Sequence, residues 1–399
     1  MKIKLRKFLK KENFKKALKD IGVTEKGTEI LSSKYKTLIF EIKDISTVTA
    51  NLLKQEALCV GADVALPLEA SFFEKKKVKV FLIIDERKLY KLIKRLNEQT
   101  PALRKISFEL EKYLNLEKRP DSIFYNDKFL SFDKYILMGI LNVTPDSFYD
   151  GGKYTYVDKA VKHAIEMVKE GAQIIDVGGE STRPGAQKVS EEEELKRVIP
   201  VIKALKEALP KNIFISVDTY KAKVAQEALK MGADIINDIS GLTFDENMIN
   251  VLKETQAPVV INHIKGTPQD MQKNPFYKDV ILEVEEFFKN QIEKLLKVNY
   301  PYSHIILDVG IGFGKRLEDN LKLIKNISHF KKFKLPLLIG TSRKSFIGKV
   351  LNLDSPKDRL EGTLSIDTYL YLEGVNIFRV HDVKAHKYAL EMIDALFKY

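Results

Sequence analysis

Cysteine is almost missing: Cys59 is the one thiol in 399 residues. A single thiol excludes an internal disulfide and a zinc site built from cysteines, and it fits a reducing compartment such as the cytoplasm. Long apolar runs are missing too. The longest, 80–84, 258–261 and 335–339, are strand-sized, far short of the ~20 residues that span a bilayer, so no membrane association is expected. The first twenty residues are basic but hold no uninterrupted apolar segment and no small-residue cleavage site. A surface helix carrying Leu5, Phe8, Leu9, Phe14 and Leu18 on one face is expected there rather than a secretory signal.

What is present is an ordinary globular composition, 44% hydrophobic and 31% charged, long enough for two domains. The net charge of +12 is unevenly placed: residues 1–130 hold 29 Lys+Arg against 18 Asp+Glu, and the remaining 269 hold 38 against 37. The basic residues are dispersed and follow no nucleic-acid-reading motif, so a lysine-rich solubilising surface is the better reading, with no nucleic-acid partner.

Residues 1–130 read as a small α/β unit. Strands are expected at 37–42, 61–66 and 78–84. Helices are expected at 46–60 behind Ser46 as N-cap, at 85–97 behind Asp85, and at 108–116. No catalytic constellation of His, Cys or carboxylates stands out there, and its role is left as structural or oligomeric. Arg119-Pro120-Asp121 marks the boundary, with a connector to about residue 133; the second domain is 131–399.

From Tyr135 on, an apolar strand, a polar loop and an amphipathic helix recur eight times. The strands are expected at 136–141, 173–177, 213–217, 234–237, 258–261, 304–307, 336–339 and 375–378. The helices between and after them are expected at 157–170, 191–208, 222–231, 246–254, 277–298, 317–326, 356–373 and 384–397. Glycines at 171 and 232 sit where helices must stop in a left-handed turn. Eight successive βα units imply right-handed crossovers and a closed (β/α)8 TIM barrel, better than an open doubly wound sheet.

In such a barrel the chemistry lies at the C-terminal strand ends, and each of the eight ends in a polar or charged side chain. These are Asn142, Asp176, Asp218, Asn237-Asp238, Asn262-His263, Asp308, Thr341 to Ser345, and Arg379 with His381-Asp382. A mutual polar network would account for some of this. A nitrogen-rich heterocycle accounts for it better: Asp218, Asn237 and Asp308 offer acceptors and an amide donor, and Lys344 a further donor. Arg379 and His381, two apart on the last strand and its loop, point the same way and make an anion site. Asn142 on the first strand could share that anion, or a metal bound to it. The stretch GIGFGK at 310–315 has the look of a phosphate-cradling loop, with neither Rossmann nor Walker spacing. His163, His304, His329 and His386 read as surface or packing residues.

Seven motifs then stand in order: MGILNVTPDSFYDGG, DVGGESTRPGA, SVDTYK, INDISG, LDVGIGFGK, GTSRKSFIG and FRVHDV. Together they resemble the dihydropteroate synthases, pterin-binding barrel enzymes, over about residues 134–399. The resemblance implies a transferase that joins 6-hydroxymethyl-7,8-dihydropterin pyrophosphate to 4-aminobenzoate, releasing pyrophosphate. It implies pterin contacts from Asp218, Asn237, Asp308 and Lys344, and pyrophosphate contacts from Asn142, Arg379 and His381. It also implies Mg2+ on Asn142, lid loops carrying Asp150, Thr182, Arg183 and Pro184, and a 4-aminobenzoate site with Phe313 and Ser345. A homodimer is usual for the family. Two departures stand out: Asn262 where the family commonly has methionine, and Val309 where proline is usual. A pterin-binding methyltransferase barrel is the nearest alternative, but it should lack Arg379 with His381 and the Thr182-Arg183-Pro184 loop. A non-catalytic scaffold is the other alternative, and it does not explain polar groups at every strand end.

Overall fold

A computed structural model describes residues 15, 25–32, 37–71, 76–115, 120, 122–144, 156–181, 185 and 187–396. The expected N-terminal helix lies mostly outside them. The chain divides into two compact units, 1–118 and 119–397.

In the first unit, helix α1 (Glu25–Ser32) precedes β1 (Thr37–Ser46), α2 (Thr47–Cys59), β2 (Asp63–Ala65) and the short α3 (Leu68–Ser71). Then come β3 (Lys77–Asp85), α4 (Glu86–Asn97) and α5 (Pro101–Asn115). The three strands form an antiparallel sheet ordered β1-β3-β2. Strict alternation along β3 buries Val78, Val80, Leu82 and Ile84 on one face, the period-two pattern of a sheet covered on one side. Leu53, Leu89, Leu92 and Leu96 from α2 and α4 complete that core. Ser46 and Asp85 cap their helices by accepting from the N–H of Thr49 and Lys88, as expected. The last helix begins seven residues earlier than its expected start at 108, at Pro101.

The second unit opens with a hairpin, β4 (Ser122–Tyr125) and β5 (Lys128–Ser131). The division at 118/119 falls at the expected Arg119-Pro120-Asp121 boundary, and the stretch expected as a connector forms this hairpin. Asn126 and Asp127 form the turn with φ of 50° and 58°, a two-residue connection that both residue types tolerate.

Eight parallel strands follow: β6 (Ile136–Asn142), β7 (Ile174–Gly178), β8 (Phe214–Asp218), β9 (Ile235–Asp238), β10 (Val259–Asn262), β11 (Ile305–Asp308), β12 (Leu337–Ile339) and β13 (Ile377–Val380). They close in chain order, with β13 paired to β6. The outer helices are α6 (Tyr156–Glu170), α7 (Glu191–Ala208), α8 (Ala222–Met231), α9 (Met248–Thr255), α10 (Val280–Lys297), α11 (Leu317–Lys325), α12 (Ser345–Leu351), α13 (Leu360–Leu372) and α14 (Val383–Leu396). The two-turn α12 was not expected from periodicity. Strand positions agree with expectation to within two residues. Gly171 and Gly232 end α6 and α8 at φ of 118° and 115°. Ser190 caps α7, and four glutamates fill that helix's first turn, where the positive end of the dipole favours them.

Alternation along the strands builds the barrel interior in layers. Met138, Ile174, Phe214, Ile235, Val260, Ile306, Leu338 and Ile377 make an apolar floor, closed below by Ile123 and Leu130 of the hairpin. Two residues further along, the same inward face turns polar on six of the eight strands, at Asp176, Ser216, Asn237, Asn262, Asp308 and Arg379, with Ile140 and Gly340 on the other two.

Candidate active site

The layer above the floor consists of Ile140, Asp176, Asp218, Asn237, Asn262, Asp308, Gly340 and Arg379, each at an inward position of its own strand or just past its end. A cavity of about 460 Å3, including its open mouth, is lined by all of them except Asp176, which is bonded to Arg379 and Asn237; Phe313, Ser342, Lys344 and His381 complete its walls. The expected pterin contacts Asp218, Asn237, Asp308 and Lys344 thus meet around one space.

Arg379 is the hub. Its Nε donates to Asp176 Oδ2 and a terminal nitrogen donates to Asp218 Oδ2, both at 2.6 Å. Asn237 Nδ2 donates to the same Asp176 oxygen at 3.0 Å. Two buried carboxylates on one guanidinium leave acceptor capacity over. Asp176 Oδ1 and Asp218 Oδ1 are buried with no partner among the described residues. Such an orphan costs about 1–3 kcal/mol, more for a charged group, and is kept where a ligand donor can meet it. Burial raises the Asp218 carboxyl, and Arg379 pulls it back toward ionisation.

Asp308 is also raised by burial, opposed by Lys344 and by the N–H of Gly310, which donates to Oδ1 at 2.8 Å. Burial pushes Lys344 down to about 8, against the pull of Asp308. Its ammonium donates to Ile311 O and lies 4.7 Å from the centre of the Phe313 ring. Ser342 Oγ holds His381, bonded to Nδ1 at 2.9 Å and accepting its backbone N–H at 3.2 Å. The neighbouring Arg343 makes a paired contact with Asp382 through Nε at 2.9 Å and a terminal nitrogen at 2.5 Å.

The closure of β13 on β6 is present, but its stagger differs from the side-by-side arrangement expected of Asn142, Arg379 and His381. Arg379 is level with Met138. Asn142 therefore stands four residues higher on its strand, above His381. Arg379 itself points at the carboxylates. Asn142 Oδ1 overlies Gly178, 3.6 Å from where a Cβ there would lie. Ser345 is the exposed first residue of α12 and is not among the side chains lining the cavity. Asp150, Thr182, Arg183 and Pro184 lie outside the described residues. Asp238 turns away from the cavity and organises its loop, accepting from Ser240 N, Ser240 Oγ and Leu242 N.

Several contributors were not singled out from the sequence. Asp176 was read only as a strand end; its inward parity, two residues after floor residue Ile174, was the available signal. Beside it, buried Lys221 is held between Glu180, at 2.5 Å, and Glu194, while Tyr220 OH donates to Glu180 at 3.1 Å. This ties the loop after β7 to α7 and to the loop after β8. Behind the TSRK segment, Thr341 Oγ1 donates to buried Asp367 at 2.5 Å, and His386 Nε2 lies 3.2 Å from the same carboxylate. These contacts join residues far apart in the chain and have no periodic signature.

No group of three or more His, Cys, Asp and Glu able to hold a metal ion occurs among the described residues. One amide oxygen at Asn142 does suit an ion that keeps most of its shell as water and phosphate oxygens.

A family model described as pterin binding enzyme matches residues 138–381. The dihydropteroate synthase of Escherichia coli K12 is 47% identical over 259 residues, 65% of this chain and 90% of that protein. A Helicobacter pylori protein, named bifunctional dihydropteroate synthase/dihydropteroate reductase, is 35% identical over 383 residues, 95% of this chain and 96% of its own. Among solved structures, Xanthomonas albilineans dihydropteroate synthase with 4-aminobenzoic acid superposes with a TM-score of 0.65 at 37% identity, covering 69% of this chain and 98% of that one. With the family model spanning most of the barrel, and the barrel carrying the cavity, this chain belongs to the pterin-binding enzyme family.

Proposed function

We propose that the barrel is a dihydropteroate synthase, condensing 6-hydroxymethyl-7,8-dihydropterin pyrophosphate with 4-aminobenzoate to give 7,8-dihydropteroate and pyrophosphate. The observation that carries this is the set of hydrogen-bonding groups on the apolar floor. Asp218 Oδ1 waits without a donor beside Asn237, with Asp308 and Lys344 on the same cavity. A pterin edge, rich in amino and ring N–H groups, supplies the missing donors.

In the reaction the C–O bond to pyrophosphate breaks and a C–N bond to the amine forms, the amine proton leaving to water. The leaving group is good and the aromatic amine attacks without prior deprotonation, so no strong base is required. The demand is electrostatic. Asp308, beside the ring, stabilises positive charge developing on the pterin. His381, with Asn142 above it, faces the departing pyrophosphate, and Arg379 supplies cationic field from below while orienting Asp218. Asn142 would hold Mg2+, and the ion would supply charge neutralisation to the pyrophosphate when bound. Phe313 packs on the aminobenzoate ring, with Ser345 at the rim for its carboxylate. Exclusion of water is the role that the family resemblance implies for the segments bearing Asp150, Thr182, Arg183 and Pro184. Location in the cytoplasm and a homodimer follow from the same reading.

The test is pyrophosphate release by the purified full-length chain with the pterin pyrophosphate, Mg2+ and 4-aminobenzoate. Release that requires all three supports the reading. Tight pterin binding with no release would contradict it.

A second activity is favoured by one observation. The match to the bifunctional Helicobacter protein spans 95% of this chain, whereas the match to the Escherichia coli synthase spans 65%. The N-terminal unit is thus the part shared with the protein that has both names. A reductase would add a hydride to the C=N bond of 7,8-dihydropteroate and a proton to its nitrogen, the hydride coming from a reduced nicotinamide or flavin. Incubating the full-length chain with 7,8-dihydropteroate and NADH or NADPH, with and without flavin, decides it by tetrahydropteroate formation.

A further inference from the structure

The GIGFGK segment is not a phosphate cradle in the folded chain. Three of its N–H groups are engaged within the protein: Gly310 N on Asp308 Oδ1, Gly312 N on Asn320 Oδ1 at 2.7 Å, and Phe313 N on Gly310 O at 3.0 Å. Its lysine, Lys315, is 2% exposed. Its amino nitrogen has three hydrogen-bonding neighbours: His263 Nδ1 at 3.0 Å, Phe313 O at 3.0 Å and His263 O at 3.2 Å. Burial holds both His263 and Lys315 well below their ordinary ranges, so the contact is one of hydrogen bonding rather than of charge.

The fit between the two loops leaves no slack. A Cβ on Gly310 would lie 1.9 Å from His263 O, and one on Gly314 would lie 2.1 Å from Lys265 O. Both glycines have positive φ, at 67° and 63°. The loop after β11 is therefore pressed backbone to backbone on the loop after β10. Lys315 is the polar pin between them, and it holds the carbonyl of the one residue in its loop, Phe313, whose side chain faces the cavity.

We propose that Lys315 is a positioning residue for the amine substrate: through Phe313 it sets the geometry of the 4-aminobenzoate pocket while leaving the pterin contacts in place. This rests on the synthase reading above. His263 serves as the anchor, its ring fixed by an edge-on contact with Phe287 at 4.9 Å.

The experiment uses full-length enzyme and steady-state kinetics with each substrate varied separately. Lys315→Met keeps the apolar stem and removes the donors. It is expected to raise KM for 4-aminobenzoate about tenfold, with KM for the pterin pyrophosphate within about twofold of the parent. Residues that act through one another are non-additive, so Lys315→Met combined with Phe313→Ala is expected to match Phe313→Ala alone within about twofold. Equal rises in both KM values, or effects of the two substitutions that multiply, would overturn the proposal. If Lys315→Met does not fold, His263→Gln decides. It removes the ring acceptor but leaves both carbonyls, and is expected to raise the same KM about threefold; no change overturns the proposal. Parent enzyme that releases no pyrophosphate contradicts the synthase reading instead, and is recognised before any variant is made.

Discussion

At the N-terminal mouth of the barrel, Lys128 of the hairpin donates to Asp234 at 2.6 Å and to Ile213 O at 2.8 Å. Asp234 accepts in addition from Ile215 N at 2.8 Å and Asn126 Nδ2 at 3.4 Å. At the C-terminal mouth, Arg379 joins Asp176 and Asp218, and each of those carboxylates keeps one buried oxygen without a partner. Both ends bury charge, and both are built from inward or strand-flanking positions of the same sheet. The lower network is closed on itself. The upper one is complete only when something else enters. Polarity at a barrel mouth is therefore a weak mark of function, and unsatisfied polarity a strong one.

The comparison is broken most forcefully from below. Lys128→Met leaves the Asp234 carboxylate inside without its cation. Breaking a buried pair from one side costs roughly 3–5 kcal/mol, and the low end applies because Ile215 N and Asn126 still donate. Chemical denaturation should show a loss of about 3 kcal/mol, while both KM values and kcat stay within about twofold. A fall in kcat with stability retained would mean that the lower network serves the chemistry.

The matching change above is Asp218→Asn. It removes the acceptor from the pterin edge but leaves Arg379 its contact with Asp176. The pterin kcat/KM should fall on the order of a hundredfold, the scale of one preorganised polar group lost from such a site. Stability should hold or rise, since burial disfavours the Asp218 charge. Destabilisation with kcat/KM intact would place Asp218 in the same class as Asp234.

How much of this could be read from the chain follows from what is local. Eight recurring apolar runs with abrupt polar ends marked the barrel and Asp218, Asn237, Asp308, Lys344 and Arg379, because each is decided by neighbours in sequence. The hairpin was missed although Asn126-Asp127 between Ile123-Phe124 and Phe129-Leu130 is a turn signal; it was absorbed into a connector between the boundary at Arg119-Pro120-Asp121 and the first barrel strand. The turn of Arg379 toward Asp176, the pin from Lys315 to His263 and the pair of Asp367 with His386 could not be read. They join residues 203, 52 and 19 positions apart, and only tertiary packing brings such groups together.

The upper mouth should also respond to pH. Burial holds Lys344 down to about 8, with Asp308 and Asp218 opposing that fall and Arg379 adding to it. The protonated form is the donor, so it is intact below that value and lost as pH rises through it. Log kcat/KM for the pterin substrate should drop by about one per pH unit above about 8. Lys344→Arg, always charged, should be slower throughout and lack this limb. Its persistence in that variant would assign it to another group.

The smallest effect concerns the floor. Asn262 is a departure from the family's usual methionine; it is buried, lines the cavity and donates to Ile239 O at 2.7 Å. Asn262→Met frees that carbonyl, a loss of about 1 kcal/mol, and puts a polarisable sulfur against the pterin face, worth a similar amount in contact. The two oppose each other in stability, but only the second acts on the ligand. Calorimetric titration with a pterin should show affinity improved about two- to fivefold at nearly unchanged melting temperature. Unchanged affinity would mean that Asn262 belongs with the closed networks below rather than with the open site above.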